Sequence, residues 1–323
     1  MTNNEKETIC ILLASYNGEK FIGDQIESLL AQTYTNWRLF IRDDGSIDQT
    51  VSIIKKYAQK DKRISIIEDD KKNLGSCQNF ATLYQLTRDR FSYIMFCDQD
   101  DYWLPFKIEE TLLHMQHLEQ QQKKTFPFLV YTNFQYTDQH LKEIKSKKNF
   151  ETTKVSNLGF AHLLAQNPAY GCTMMMNKSL ADIINQIPAK AENHDYWVAL
   201  VASALGKISY LNRQTILYRQ HSNNISTNYD SNSFVKRLKR IVVQRKNFED
   251  VRAKIAMALV FRDSFYGSLK ESHKKILNQY ISLFKRKTFF MLFNNIQNGV
   301  RRQTLPQTIL FYISIFMLKG FKN

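Results

Sequence analysis

The sequence predicts an α/β fold: a Rossmann-like, mostly parallel central sheet flanked by helices, with a basic, mainly helical carboxy-terminal extension. Three observations carry this. Over the first hundred residues, short apolar runs alternate with amphipathic segments, the pattern of strands joined by helical crossovers. The run "FSYIMFCD" is apolar on both faces, as a strand covered on two sides must be. The charge is divided: residues 1–230 hold 26 Lys and Arg against 26 Asp and Glu, and residues 231–323 hold 19 against 4, so the net charge of +15 lies wholly in the last third.

Taken in order, "TICILLA" reads as a strand, and "DQIESLLAQ" as a helix with Ile22, Ile26, Leu29 and Leu30 on one face. "WRLFIRDD" is a second strand, "SIDQTVSIIKKYAQK" a helix with Ser and Asp at its start, and "RISIIED" a third strand. "NLGSCQNFATLYQLT" is a glycine turn entering a helix, and "FSYIMFCD" the fourth strand. Beyond Tyr102, "PFKIEETLLHMQHLEQQQKK" predicts a helix with Pro105 near its start, and "FPFLVYTNFQYTD" a strand. The lysine-rich stretch from His140 to Lys154 reads as a surface loop. "YGCTMMMN" reads as a strand, "HDYWVALVASAL" as a buried helix, and "KISYL" and "TILYRQH" as two short strands.

In such sheets ligands gather at the carboxyl ends of the strands. Tyr16 and Asn17 end the first strand, Asp43 and Asp44 the second; Asp69 to Asn73 follow the third, and Asp98, Asp100 and Asp101 the fourth. Polar loops are ordinary, but four polar clusters at one end of one sheet are not. Adjacent carboxylates repel one another and resist burial, so they persist where a cation compensates them. Oxygen ligands favour Mg²⁺ or Mn²⁺ over zinc, and such an ion is usually held by one or two carboxylates with substrate phosphates completing the shell. The competing reading of Asp-x-Asp alone is a solvated turn.

The order of these motifs resembles the family 2 glycosyltransferases of the glycosyltransferase A fold. "ILLASYNGEKFIGDQIESLLAQTY" is similar to their opening strand and helix, "LFIRDDGSIDQT" to the second strand with its turn, "NLGSCQNF" to the glycine turn and "CDQDDYWLPFKI" to the metal motif. The resemblance is dense from Ile9 to Leu113 and thinner to Asn224, through "GCTMMMN", "NHDYWVALVASALGKI" and "LYRQHSNN". These later segments look closest to bacterial rhamnosyltransferases of cell-wall and capsular polysaccharides. The implied organisation is a catalytic domain over residues 1–230, with a nucleotide-sugar half (1–115) and an acceptor half (116–230), and a basic helical region over 231–323.

The resemblance implies a role for each cluster. Tyr16 would stack on the pyrimidine, lined by the backbone of Ala14 and Ser15 beside Asn17, and Asp44 would accept from the base N3 hydrogen. Asn73 and Gly75 would let the backbone close over the nucleotide. Asp98, with Gln99 beside it, would approach the ribose or a metal-bound water, and Asp100 would ligate the metal. Asp101 orients the sugar or braces the loop. Competing readings are a core position for Tyr16, turn capping for Asp43 and Asp44, and a simple positive-φ turn for Asn73 and Gly75.

Inverting transfer needs one base to take the acceptor proton. The family places it at an acidic residue opening a helix, here Asp195 in "NHDYW", where a helix amino terminus also favours a carboxylate. A plain helix cap is the alternative. Many relatives carry a second acidic residue where this chain has His194, so the neighbourhood of the base differs. His221, with Arg219 close by, would contact the metal or diphosphate; a lone histidine is also commonly structural. The Q-x-x-R-W motif of processive synthases is missing, so single additions are expected.

Four dispersed cysteines without a C-x-x-C pair argue against zinc and disulfides and for a reducing compartment. The amino terminus does not resemble a secretory signal. "FVKRLKRIVVQRKNF" predicts a basic amphipathic helix. "ILFYISIFMLKGF" is apolar but shorter than the ~20 residues of a spanning helix. Together they predict a cytoplasmic protein held peripherally on an anionic membrane surface, unless these helices pack on the catalytic body. The expected donor is dTDP-rhamnose or another nucleotide-diphosphate sugar, and the expected acceptor a lipid-linked saccharide; a homo-oligomer is left open. Nucleic-acid binding is disfavoured because the positive charge is confined to the tail and the acidic clusters would repel phosphate. A silent nucleotide-sugar binder would have no use for both Asp100 and Asp195.

Overall fold

A computed structural model describes residues 7–122, 125–145, 158–221 and 247–318. The chain runs β1 (Ile9–Ser15), α1 (Ile22–Leu30), β2 (Trp37–Asp43), α2 (Thr50–Lys60), β3 (Ile64–Ile66), α3 (Ser76–Thr87), β4 (Tyr93–Cys97) and β5 (Tyr102–Trp103). It continues through α4 (Lys107–Gln121), β6 (Phe128–Thr137), α5 (Phe160–Leu163), β7 (Met174–Asn177), α6 (Lys178–Ile184), α7 (His194–Leu205) and β8 (Lys207–Arg219). Four helices follow: α8 (Asn247–Phe265), α9 (Glu271–Arg286), α10 (Phe289–Gln297) and α11 (Leu305–Met317).

One eight-stranded sheet has the order β3-β2-β1-β4-β7-β6-β8-β5. The strands β3, β2, β1 and β4 are mutually parallel, β7 runs antiparallel to both β4 and β6, β8 is parallel to β6, and β5 is antiparallel to β8. The parallel block therefore lies within the first hundred residues, and the sheet turns mixed beyond β4. Alternation along each strand feeds two apolar layers. Ile9, Ile11, Leu13, Met95 and Cys97 pack with α1, α2 and α4 on one face. Cys10, Leu12, Phe40, Ile94 and Phe96 pack with α3, α6 and α7 on the other.

Three expectations change. "KISYL" and "TILYRQH" form one thirteen-residue strand, because pairing to β6 resumes at Gln214 opposite Asn133 after an irregularity at Asn212 and Arg213. "YGCTMMMN" splits into a 3-10 turn at Gly171–Thr173 and the short β7. The apolar stretch near the carboxyl terminus is largely core: α11 buries Leu310, Phe311, Tyr312 and Ile315, and the Tyr312 hydroxyl donates to the Val300 carbonyl at 2.6 Å. Most of the basic segment "FVKRLKRIVVQRKNF" and the Lys-rich stretch after 145 lie outside the described residues, as does any boundary at residue 230. The helices α8, α9 and α11 share the core of α5 and α7, where the Phe261 ring lies 6.0 Å from Trp197 and 5.5 Å from Phe160.

Candidate active site

Parallel pairing brings the ends of β1, β2 and β4 to one rim, with Ser15 opposite Asp43 and Leu13 opposite Cys97. Beyond that rim the chain turns sharply, Asn17 taking φ 47°. Ala14 is half-buried and Ser15 buried, and the Ser15 hydroxyl donates to Asp43 at 2.9 Å. Tyr16 is 48% exposed, which sets aside a core position and leaves its ring free as a platform. The Gln99 side chain grips its backbone from both sides, accepting from the Tyr16 N–H at 2.9 Å and donating to its carbonyl at 3.0 Å. This clasp ties the end of β1 to the acidic loop after β4. Gly18 makes room for it, since a Cβ there would lie 2.3 Å from the Gln99 amide oxygen.

The two aspartates after β2 divide their work. Asp43 accepts from the Gly45 and Ser46 N–H groups at 3.0 and 2.7 Å and so caps its own turn. Asp44 is 3% exposed, and its carboxylate accepts from Arg42 Nη1 at 3.1 Å, Leu74 N–H at 3.0 Å and Gly75 N–H at 2.8 Å. The carboxylate thus braces the glycine turn. Asn73 at φ 55° and Gly75 at φ 78° hold the positive-φ backbone that leads into α3. Gly75 has nothing within 4 Å of a Cβ, so backbone conformation, not crowding, calls for glycine there.

Behind this turn lies Arg42, a residue the motif reading passed over. Fully buried, it also binds Asp69 through two nitrogens, at 3.0 and 2.8 Å, and the Asn79 side chain at 3.0 Å. A lone arginine within the apolar run "LFIRDD" was the available signal, since buried charge occurs only with partners.

After β4 the carboxylates meet the end of β8. Asp100 Oδ2 lies 2.9 Å from His221 Nε2, and its backbone carbonyl accepts from Arg219 Nε at 2.8 Å. Asp101 is buried, with Oδ1 accepting from the Arg219 N–H at 3.1 Å. Arg219 is 2% exposed, and its other nitrogens donate to the Gln139 carbonyl at 2.7 Å and to Asp24 at 2.8 Å. Its guanidinium lies over Phe21, which in turn stacks on His221 at 4.6 Å. Arg219 is thus the clamp that fixes the metal-motif loop against α1 and β8.

Loss of solvent, followed by repulsion from Asp100 and Asp195, pushes the half-buried Asp98 up to about 7. Burial and the charges of Asp100 and Asp98 raise Asp101 well above the usual carboxylate range. Asp100 Oδ2 and His221 Nε2, both only partly buried, lie 2.9 Å apart, an oxygen and an imidazole nitrogen of the kind that suits Mg²⁺ or Mn²⁺. Among the described residues, the one set of three such donors within 4.8 Å of one another is Asp98 and Asp101 with Cys172. Its buried thiol, raised by burial well above the ordinary range, is a poor ligand for a hard ion.

Across the cleft, Asp195 opens α7 and accepts from the Gly171 N–H at 3.1 Å. Loss of solvent raises its carboxyl to about 6. The neighbouring His194 is wedged against Phe80 and Phe96, with ring centroids 4.0 and 4.6 Å away, and burial drives its pKa down to about 3. It is neutral, so it shapes the site by packing and not by charge. Gly171 is required beside it, because a Cβ there would lie 2.6 Å from His194 Nε2.

Residues 10–183, more than half of the chain, match the family described as Glycosyl transferase family 2. The chain belongs to glycosyltransferase family 2. This family 2 glycosyltransferase is 31% identical over 274 residues to dTDP-rhamnosyl transferase RfbG of Shigella flexneri, covering 79% of this chain and 87% of the relative. It is 27% identical over 227 residues to the Escherichia coli UDP-Glc:alpha-D-GlcNAc-diphosphoundecaprenol beta-1,3-glucosyltransferase WfaP, covering 69% and 81%. Among solved structures, S. aureus TarS 1-349 superposes with a TM-score of 0.59 at 12% identity, covering 90% of this chain and 80% of that one. The same protein in complex with UDP-GlcNAc gives 0.56 at 14%. These likenesses show the glycosyltransferase A fold.

Proposed function

We propose that this glycosyltransferase moves L-rhamnose from dTDP-rhamnose, with inversion, to a lipid-linked glycan on the cytoplasmic face of a bacterial membrane during surface polysaccharide synthesis. One observation supports the chemistry: Asp195, at the start of α7, lies near enough to the acidic loop for its charge to raise the Asp98 carboxyl. The relative named for dTDP-rhamnosyl transfer supports the donor.

Tyr16 would stack on the nucleobase and the backbone beside Asn73 and Gly75 would border it. The ionised Asp195 carboxylate takes the proton of the acceptor hydroxyl as that oxygen bonds to the anomeric carbon; the bond from that carbon to the diphosphate oxygen breaks on the opposite side, and the nucleoside diphosphate leaves with the electron pair. Asp100, His221 and Asp98 would hold a Mg²⁺ or Mn²⁺ ion, which when bound supplies positive charge to the departing diphosphate. Gly171 and the neutral His194 keep Asp195 aimed.

Screening nucleotide sugars by thermal stabilisation with Mn²⁺ tests the donor. At a hundred times Kd a true donor stabilises by about 2.7 kcal/mol, and dTDP-rhamnose is expected to give the largest shift. A larger shift with UDP-glucose or UDP-GlcNAc would favour the second reading, the same chemistry on a UDP-hexose, which WfaP and the TarS complex support. Asp100→Ala should abolish the metal-dependent part of the shift; a full shift in EDTA would remove the ion from the account. Asp195→Asn should keep the shift and lose transfer by about 10²–10⁴-fold.

A further inference from the structure

The helix α10 is apolar on its outward side as well as its inward one. Its outward residues are Phe289, Phe290, Phe293 and Ile296, exposed by 82%, 73%, 57% and 37%. Inward, Met291 and Leu292 pack against the core and the fully buried Asn295 donates to the Gln279 carbonyl at 3.3 Å, while Asn298, just past the helix end, donates to the Gln279 side chain at 2.6 Å. A helix on a water-facing surface keeps its outward side polar. Other large exposed apolar residues among those described, such as Ile47, Leu86 and Leu113, stand far apart along the chain, whereas these four fall within eight positions. Phe289 extends the patch to α11, with its ring 5.6 Å from that of Phe316 and the exposed Met317 next in sequence.

The charge around the patch says what covers it. No Asp or Glu follows Glu271, while nine Lys and Arg do, from Lys274 to Lys322. Exposed Lys285 and Arg286 end α9 immediately before the phenylalanines, and Arg301 is exposed after them. A second copy docked by the same face would bring basic rims together, which opposes association. An anionic bilayer supplies both missing partners, acyl chains for the rings and phosphate for the cations.

We propose that α10 is the membrane-docking element, inserting Phe289, Phe290 and Phe293 at the headgroup boundary of an anionic phospholipid surface, with Lys285 and Arg286 at phosphate level. The proposal rests on the reading that the enzyme serves a lipid-linked acceptor. It reassigns the contact from α11, whose apolar side faces the core, to a helix of nine residues that lies on the bilayer and does not span it.

Co-sedimentation of the full chain with vesicles of phosphatidylcholine, alone or with phosphatidylglycerol, tests it. The wild type is expected to bind the anionic vesicles, and the triple variant F289S/F290S/F293S to bind about ten-fold or more weakly, with unchanged melting temperature and unchanged nucleotide-sugar hydrolysis. K285Q/R286Q should weaken binding only to the anionic vesicles and flatten its salt dependence. A triple variant that sediments like the wild type overturns the role of α10 while leaving the donor chemistry standing. A wild type that ignores vesicles but forms a dimer dissolved by the triple variant overturns it in favour of self-association. Retained vesicle binding with no transfer from any nucleotide sugar would instead sink the proposed function alone.

Discussion

A carboxylate that accepts a proton from an alcohol must be ionised when the alcohol arrives, and Asp195 with its pKa near 6 sets where that holds. Because the value is raised from 3.8, the group is neutral below about 6 and charged above it. Transfer should therefore fall by about ten-fold per pH unit below 6 and be flat just above, in a kcat/KM profile at saturating metal. Arg42 makes a different kind of prediction. Arg42→Met leaves the buried Asp44 carboxylate without its cation and should cost about 3–5 kcal/mol in denaturant unfolding. Combining it with Asp44→Asn should cost less than the two changes added, since their side chains share a hydrogen bond.

Between elements, the clasp of Gln99 on the Tyr16 backbone joins the nucleotide rim to the acidic loop. Gly18→Ala pushes on the far end of that flexible amide, which can swing away. The fold should therefore survive with a loss of about 1 kcal/mol or less, while donor affinity in a titration drops; an unchanged affinity would show that the clasp is dispensable. Much of this level was legible in the amino-acid sequence. The strands β1, β2 and β4 announce themselves because both faces are covered, and the acidic clusters because a strand end has no other reason to collect like charge. The two halves of β8 did not read as one strand because "NRQ" interrupts the apolar run, and its pairing to β6 is non-local. The protein partners of Arg219 and Asp44 were not legible, because spacing shows that a polar group stands near a site without giving the protein atoms around it. The outward apolar side of α10 also escaped, since a helix apolar on most sides does not show which side is left exposed.

At the scale of the whole molecule, the basic region was expected on a membrane surface or packed on the catalytic body, and α8, α9 and α11 complete the apolar layer under α7. Lys254 of α8 donates to Glu192, three residues before Asp195, at 2.6 Å, and also pairs with Asp250. Ending the chain at residue 230 should therefore expose core around Trp197. The expected result is an aggregating or loosely packed product that binds a hydrophobic dye and lacks a cooperative melt, where the full chain melts in one transition. A soluble, cooperatively folded 1–230 fragment would contradict the shared core.

That sharing constrains how variants of this scaffold can be assembled. A crossover between related enzymes at residue 230 would set Trp197 and Phe160 of one parent against a foreign aromatic in place of Phe261. Chimeras designed to exchange acceptor preference should thus inherit α5, α7 and the last four helices from the same parent, leaving residues 1–115 as the interchangeable cartridge.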